Sequence, residues 1–190
     1  MATLKFITKN AFDSPFSEKY KDDHAVEDVI SYIYDVKYGG YKTQGYIGGW
    51  AVNPEYAAYE MGLMSKLHHK NSGVRLRHWV ITFTEADMEC IQRRLPTYSR
   101  ELALYRLGYE FSSYYAEKYQ IVFAVHLDTE PGHLHFVANT VSYVDGKKHT
   151  GSKAEYYAYE SYAKSVAARY GFLLYAVTDN SAAKHCHRFD

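Results

Sequence analysis

The sequence predicts an α+β fold in which helices pack on a central, mostly antiparallel β-sheet. Two apolar, β-branched segments, 120–126 and 133–139, flank a Pro131-Gly132 turn, a pattern that is typical of a hairpin. Segments with helical periodicity or helix caps lie before and after that hairpin, so the fold is not all-β. The 190 residues suit one domain. We expect it to span residues 1–178, with residues 179–190 as a mobile polar tail.

Six segments make up the first half of the predicted fold. They are a strand at 4–8, a polar loop at 10–23, a helix at 26–35, a glycine-rich arm or short hairpin at 41–52, a second helix at 53–70 and a second strand at 75–83. The first helix is predicted from Val26, Val29, Ile30 and Ile33, which recur at i, i+3, i+4 and i+7. Asn53-Pro54 is typical of a helix start, because Asn caps the N-terminus and proline fits the first turn.

The second half contains three further helices and three strands. Thr84 and Asp87 have the spacing of a capping box, so a helix begins there, and Pro96 ends it. A longer helix follows over 99–118, and then come the two strands of the hairpin. Asp145-Gly146 indicates a tight turn. The last helix and strand are predicted at 153–170, closed by the C-terminal cap Gly171, and at 172–177.

Composition excludes several classes of protein. Lys+Arg and Asp+Glu are both 22, so the net charge is zero, which argues against extensive wrapping of duplex DNA. A basic run over 66–78 still provides local positive charge, and some of the 21 tyrosines are candidates for stacking on bases. Cys90 and Cys186 form no CxxC pattern, which favours a reducing, cytoplasmic setting. No apolar run has the length of a membrane span, and no signal peptide is evident.

The predicted hairpin carries three histidines, His126, His133 and His135. His133 and His135 alternate on one strand and therefore share a face. Directly opposed residues also share a face, so His126 joins them if the loop has an even number of residues, for example 128–131. In that register three imidazoles converge, and neutral imidazole is the commonest ligand of a divalent transition ion. The sequence therefore predicts a metal site with open positions for substrate oxygens.

The same stretch resembles the metal-binding motif of conjugative relaxases, the mobilisation nucleases of the His-hydrophobic-His endonuclease superfamily. The resemblance consists of His-x-Asp at 126–128, His-x-His at 133–135 and then Asn139. The segment that follows, up to Gly146-Lys147-Lys148, is similar to the MobP class. Looser matches are Tyr32-Ile33 with Lys42-Thr43 downstream, and the strand 78–83 before a long helix, so the resemblance spans roughly residues 28 to 175.

The resemblance implies a relaxase fold and a relaxase reaction. A tyrosine attacks one strand of DNA at an origin of transfer, with a divalent ion, Mn²⁺ or Mg²⁺, held by His126, His133 and His135. The product is a 5′-phosphotyrosine and a free 3′-OH, which the same site can rejoin. Implied partners are single-stranded DNA, accessory relaxosome proteins and a coupling protein, in a bacterial cytoplasm. Relaxase domains usually begin longer proteins, so we expect a C-terminal continuation. Because the ligands must be neutral, activity should fall below about pH 6.

Two tyrosines of the helix 26–35 are candidates for the nucleophile. Tyr32 and Tyr34 lie on opposite flanks of its apolar stripe, about 160° apart, so hardly both face the histidines. Geometry from the sequence leaves this choice open. The resemblance favours Tyr32, because relaxases often have a tyrosine followed by an aliphatic residue near the end of this helix. Tyr46 in the glycine-rich arm is the third candidate.

Several polar residues are candidates for supporting roles. Asp128 either holds a ligand imidazole, takes the tyrosine proton or caps the turn. Glu130 lies close enough to reach the metal, although a solvated loop residue is the commoner role. Asn139 shares the face of the histidine pair, and His78 is a candidate for phosphate contact or for a structural role. Candidate DNA contacts are Lys42, Arg75, Arg77, Lys147 and Lys148.

Two alternative functions fit the same residues. A rolling-circle replication initiator or transposase of the superfamily places its tyrosine after the histidines, and Tyr156, Tyr157, Tyr159 and Tyr162 follow them here. The other alternative is a single-strand-binding module with stacking tyrosines and no nuclease activity. A covalent protein–DNA adduct separates the enzymes from the binding module.

Overall fold

A single open β-sheet organises the computed structural model, which describes residues 1–7, 20–21 and 24–177. Its strand order is β2-β4-β5-β3-β1-β6, and every neighbouring pair is antiparallel except β1 and β6. The strands are β1 (Ala2–Phe6), β2 (Ile47–Trp50), β3 (Leu76–Thr82), β4 (Tyr119–His126), β5 (His133–Ser142) and β6 (Leu174–Val177). The predicted α+β class with a mostly antiparallel sheet is confirmed.

Five α-helices within the described residues cover the two faces of this sheet. They are α1 (Ala25–Ile33), α2 (Ala57–Leu67), α3 (Glu85–Arg94), α4 (Arg100–Ala116) and α5 (Lys153–Tyr170). The first two helices pack on one face, against Val122, Ala124 and Val137. The other three bury the larger core on the opposite face, around Trp79 and Phe136. None of the helices in the described part of the chain has the length and apolar character needed to span a bilayer.

Alternation along the strands decides which face each histidine occupies. His126 on β4 and His135 on β5 have the same parity as Ala124 and Val137, so they lie on the face covered by α1 and α2. That parity is retained on β3, where His78 is opposite Val137. The site face is therefore assembled from three adjacent strands, while aromatic residues of the same strands fill the opposite core.

The hairpin register is the one that the sequence predicts. His126 is directly opposite His133, and Ala124 is opposite His135, so the six residues 127–132 form a connection of even length. Direct pairing places His126 and His133 on one face.

Some boundaries differ from the prediction. Helix α1 ends at Ile33 rather than at residue 35, because Asp35 adopts a left-handed conformation with φ 58°. The helix start at Asn53 becomes a 3₁₀ turn (Pro54–Tyr56), which α2 continues. The glycine-rich arm supplies an edge strand, β2. Most of the predicted polar loop 10–23 and the predicted tail lie outside the described residues.

Candidate active site

Three imidazoles converge at the end of the β4–β5 hairpin. One nitrogen from each of His126, His133 and His135 lies within 4.8 Å of the other two. The ring centroids of His126 and His135 are 4.3 Å apart, and each is 5.0 Å from that of His133. His126 and His135 are buried and His133 is half-buried. The arrangement presents three nitrogen ligands at a partly open position.

The second nitrogen of each ring is held by the protein. His126 Nε2 donates to the carbonyl oxygen of Ile33 over 2.7 Å, so Nδ1 keeps the lone pair. His133 Nδ1 bonds the Thr129 hydroxyl at 3.1 Å, and His135 Nδ1 bonds His78 Nε2 at 3.0 Å. Metal-binding histidines usually have such a partner on the nitrogen that does not bind the ion. The residues therefore fit a divalent metal, with one nitrogen of each ring held and one left as ligand.

Burial keeps these imidazoles neutral. It lowers the pKa of His133 to about 4, together with the charge of His126. Burial also lowers the pKa of His135, with further contributions from His78 and His126, and burial lowers that of His126. Metal ions require the deprotonated ring, so the site has the correct protonation state at neutral pH.

Tyr32, at the end of α1, lies over the histidines. Its ring meets that of His135 edge-on, with centroids 5.7 Å apart, and lies 6.5 Å from the rings of His126 and His78. Half of the residue's surface is exposed. The bond from His126 to the carbonyl of Ile33, the next residue, anchors this end of α1 to β4. The helix thereby places a phenol beside the three imidazoles.

The other two candidate tyrosines are oriented differently. Tyr34 lines the cavity between α1 and α2, and its hydroxyl is buried without a hydrogen-bond partner among the described residues. Burial raises the pKa of that hydroxyl. Tyr46 packs toward Tyr105 on the opposite side of the sheet, with ring centroids 5.8 Å apart.

A charged pair borders the histidines. Lys42 Nζ lies 3.3 Å from Asp128 Oδ2, and the two side chains are 33% and 27% exposed. The backbone of Lys42 is fixed at both ends, since its N–H donates to Asp35 and its carbonyl accepts from Leu127. The hydrogen bond to Asp128 raises the pKa of Lys42. Burial opposes ionisation of Asp128, but Lys42 outweighs it and holds the pKa of that carboxyl below its ordinary value.

Comparison with known proteins identifies the family. A family model described as "Relaxase: MobA/VirD2-like, nuclease domain" matches residues 32–172, well over half of the chain. The chain belongs to the relaxase family. The matched region begins at Tyr32 and includes all three histidines. At the level of the family, this relaxase is a DNA-nicking endonuclease domain that binds single-stranded DNA. No curated protein and no solved structure gave a significant match.

Two of the other predicted residues have clear structural partners in the relaxase. Asn139 donates to the Met61 carbonyl and to Gln120, so its amide joins the sheet to α2 and lies four residues beyond His135. Glu130 is exposed and bonds Arg100 at 2.6 Å. These contacts favour the structural interpretation that the sequence left open for both residues.

The candidate DNA contacts fall into separate groups. Arg75, Arg77 and Lys148 lie close together. Burial lowers the pKa of Lys148, and the charges of the two arginines and of Lys70 lower it further. Arg77 also bonds Tyr156 at 3.3 Å. Lys147 is exposed and pairs with Asp145 at 3.1 Å. Lys42 lies near His126 and His133 instead, and its charge contributes to lowering the pKa of both rings.

Sequence reasoning missed several residues of the relaxase site. Tyr20, which bonds His78 at 2.9 Å, stands in a segment that looked like a plain polar loop. Ile33 contributes only a backbone carbonyl, which no residue pattern reveals. Thr129 and Asp35 had a weak signal, because hydroxyl and carboxylate groups beside a predicted turn or helix end often bond neighbouring groups.

Proposed function

We propose that this relaxase nicks single-stranded DNA at an origin of transfer, with Tyr32 as nucleophile and His126, His133 and His135 as ligands of a divalent ion. The observation that carries the proposal is the edge contact of Tyr32 with His135 in the centre of the histidine group. The proposed biological setting is conjugative mobilisation in a bacterial cytoplasm, together with accessory relaxosome proteins and a coupling protein.

The proposed reaction exchanges one phosphodiester for another. Tyr32 Oη attacks phosphorus, loses its proton, and forms a 5′-phosphotyrosine as the bond from phosphorus to the 3′-oxygen breaks. The 3′-oxygen takes up a proton and leaves as a hydroxyl. No water is consumed, so the reverse attack of that hydroxyl restores the strand. Lys42 contributes positive charge beside the phenol, since the two groups interact electrostatically.

The three histidines define which ion suits the site. A bound divalent cation would supply a Lewis acid for the non-bridging phosphate oxygens. Mg²⁺ prefers oxygen ligands and gives up its waters reluctantly, whereas imidazole suits transition ions. We therefore favour Mn²⁺ or another transition ion over Mg²⁺ for this all-nitrogen donor set.

The basic cluster Lys70, Arg75, Arg77 and Lys148 provides the proposed contacts to the DNA backbone. The charges of Lys70, Arg75 and Arg77 all lower the pKa of Lys148, which indicates a concentration of positive charge in a chain whose net charge is zero. Such a cluster binds phosphates without reading sequence, and its contribution falls as salt rises.

The arrangement of α5 speaks against a nucleophile that follows the histidines. Tyr159 is fully buried and bonds Trp79 in the core of the opposite face. Tyr156 bonds Arg77, and Tyr162 bonds the Glu110 carbonyl. The sheet itself separates this group of tyrosines from the three imidazoles.

The test is covalent trapping on single-stranded DNA libraries with Mn²⁺. Wild-type protein should yield an adduct that resists denaturant, and peptide mapping should place it on Tyr32. Tyr32→Phe should abolish the adduct with little change in melting temperature, because the ring and its contacts with the histidines are retained. Tyr34→Phe is the matched control and should retain it. An adduct on Tyr34, on Tyr46 or on α5 would refute the assignment, and DNA binding without any adduct would favour the binding module.

A further inference from the structure

Behind the histidine ligands, two buried side chains form a hydrogen-bonded chain. His78 Nε2 bonds His135 Nδ1 at 3.0 Å, and His78 Nδ1 bonds the Tyr20 hydroxyl at 2.9 Å. All three residues are at most 9% exposed. His78 reaches His135 diagonally across the β3–β5 pair, since its direct partner is Val137. Tyr20, His78 and His135 thus form a line that ends at the proposed metal.

A neutral His78 permits only two directions for this chain. In the first, His135 donates its Nδ1–H to His78, His78 donates its Nδ1–H to Tyr20, and His135 Nε2 keeps a lone pair. In the second, the Tyr20 hydroxyl donates to His78, His78 donates to His135 Nδ1, and the proton of His135 stands on Nε2. A protonated nitrogen cannot bind a metal, so only the first direction leaves His135 Nε2 available as a ligand.

We propose that His78 and Tyr20 are positioning residues which fix the tautomer of His135 and thereby set the metal affinity of the site. This inference deepens the proposed function and depends on the histidines being ligands. A carboxylate commonly fills the position behind a ligand histidine, and it can only accept. An imidazole can accept or donate, so the direction of the chain also depends on Tyr20.

Because His78 and Tyr20 are neutral, the hydrogen-bonded chain that they form behind His135 affects the total charge of the metal site. A carboxylate behind His135 would cancel part of the charge of a bound divalent ion. The His78–Tyr20 pair accepts the proton of His135 without adding negative charge. The site then presents more positive charge to a phosphodiester, in exchange for weaker retention of the ion. That balance suits an enzyme whose substrate is an anion.

Metal binding to the wild type and three variants tests the proposal. Calorimetric titration with Mn²⁺ alone, without DNA, should give the affinity order His78→Asp, wild type, Tyr20→Phe, His78→Leu, from tightest to weakest. His78→Asp can only accept, so it should bind about tenfold or more tightly than wild type. Removing the acceptor in His78→Leu should cost roughly 10–100-fold, the usual effect of losing such a partner. Tyr20→Phe leaves the His78 Nδ1–H unpaired and should cost several-fold.

The double variant His78→Asp/Tyr20→Phe gives a sharper result. With a carboxylate at position 78, the tyrosine no longer sets direction, so this variant should bind Mn²⁺ as tightly as His78→Asp alone. The matched control is His149→Gln, since His149 is another buried histidine but packs between Tyr115 and Tyr119 on the opposite face. It should bind within about twofold of wild type. A packing role for His78 would instead make every substitution weaker, His78→Asp included, and would overturn the proposal.

The tautomer is directly observable in the metal-free protein. Nitrogen-15 chemical shifts of the His135 ring should show a protonated Nδ1 and an unprotonated Nε2 in wild type and in His78→Asp. A proton on Nε2 in both proteins would overturn the inference. If wild type fails to bind Mn²⁺ while His135 has its proton on Nδ1, the metal-dependent nuclease is refuted, but the tautomer assignment is supported.

Discussion

At the scale of single residues, the pairing of Lys42 with Asp128 changes what each of them is able to do. The sequence left Asp128 with three roles, and the structure adds a fourth, as the anchor of a lysine. A carboxylate whose pKa is held low by an ammonium group is a weaker proton acceptor. The ammonium in turn lies where it interacts with the phenol of Tyr32. We therefore propose that Lys42 supplies the catalytic charge and that Asp128 positions that charge.

A double-mutant cycle tests this assignment. Lys42→Met should lower the rate of adduct formation by roughly 10–100-fold, about 1.4–2.7 kcal/mol of barrier, by removing charge that stabilises the phenolate. Asp128→Asn should cost less, because the lysine stays near. The double variant should be no slower than Lys42→Met, since the carboxylate acts through the lysine. Single-turnover kinetics measure all three rates.

The control is Lys164→Met, which removes the lysine of an i,i+4 surface pair with Glu160 on α5 and should stay within about twofold of wild type. If the losses from Lys42→Met and Asp128→Asn are instead additive, Asp128 acts independently, as the proton acceptor that the sequence also allows.

Much of the site was predictable residue by residue, because β-strand geometry is regular. Alternation and an even loop suffice to bring His126, His133 and His135 together. The choice between Tyr32 and Tyr34 could not be predicted in this way, since helical geometry alone places them symmetrically about the buried stripe. Packing of α2 against α1 breaks that symmetry by covering the Tyr34 side. Contacts such as Tyr20 with His78 join residues 58 positions apart, and no local pattern encodes them.

At the scale of elements, the fit between α4 and the sheet depends on two glycines. A Cβ at Gly108 would lie 2.2 Å from Phe123 Cε2, and one at Gly48 on β2 would lie 2.4 Å from Phe123 Cζ. The ring of Phe123 on β4 is therefore held between a helix and an edge strand that both lack side chains there. Since β4 also carries His126, this packing supports the strand that supplies one of the proposed ligands.

A pair of glycine substitutions tests that packing. Gly108→Ala should lower the melting temperature by roughly 3–6 °C, because overpacking costs about 1–3 kcal/mol and exceeds the gain of about 1 kcal/mol in helix propensity. Gly62→Ala in α2 is the control, since its Cβ would meet nothing within 4 Å. It should raise the melting temperature by a few degrees. Equal effects of the two substitutions on the melting temperature would show that the ring of Phe123 shifts to accommodate the added methyl group without loss of stability.

The elements themselves were largely predictable, for reasons of pattern and capping. The capping box at Thr84 and Asp87 and the αL cap at Gly171 stand where the sequence places them. The end of α1 could not be predicted from such a pattern. Asp35 adopts its left-handed conformation while accepting a hydrogen bond from the Lys42 N–H, and that contact depends on the fold of the following turn. The start of α2 shifted for a local reason, since Asn53 caps a 3₁₀ turn first.

At the scale of the whole molecule, the sheet separates two kinds of interior. One face holds a buried aromatic core, whereas the other contains four imidazoles, His78, His126, His133 and His135. Burial, with the charge of His126, lowers the pKa of His78 to about 3. The acid limit of activity, placed near pH 6 from the sequence, therefore moves lower, since burial lowers the pKa of all three proposed ligands.

The same shifts make stability depend on pH in a definite window. His78 and His133 titrate near 3 and 4 in the folded protein, against about 6.5 when unfolded. Between these values the unfolded chain binds more protons, so stability is present above pH 6.5 and is lost as pH falls. Each of the two contributes up to about 2 kcal/mol of loss between pH 6.5 and 5, at about 1.4 kcal/mol per unit. Carboxylates enter only below this window, because their unfolded pKa values are near 4.

We therefore expect the melting temperature of the metal-free protein, measured in chelator, to fall by on the order of 10 °C between pH 7 and pH 5. His133→Gln removes one of the titrating rings and should reduce that fall, because one proton fewer is taken up on unfolding. Saturating Mn²⁺ at pH 7 should raise the melting temperature, since the ion binds only the folded site, and this gain should shrink toward pH 5 as protons compete for the same nitrogens. A melting temperature that stays constant from pH 7 to pH 5 in chelator would mean that these rings are solvated, and that the histidine face is open to water.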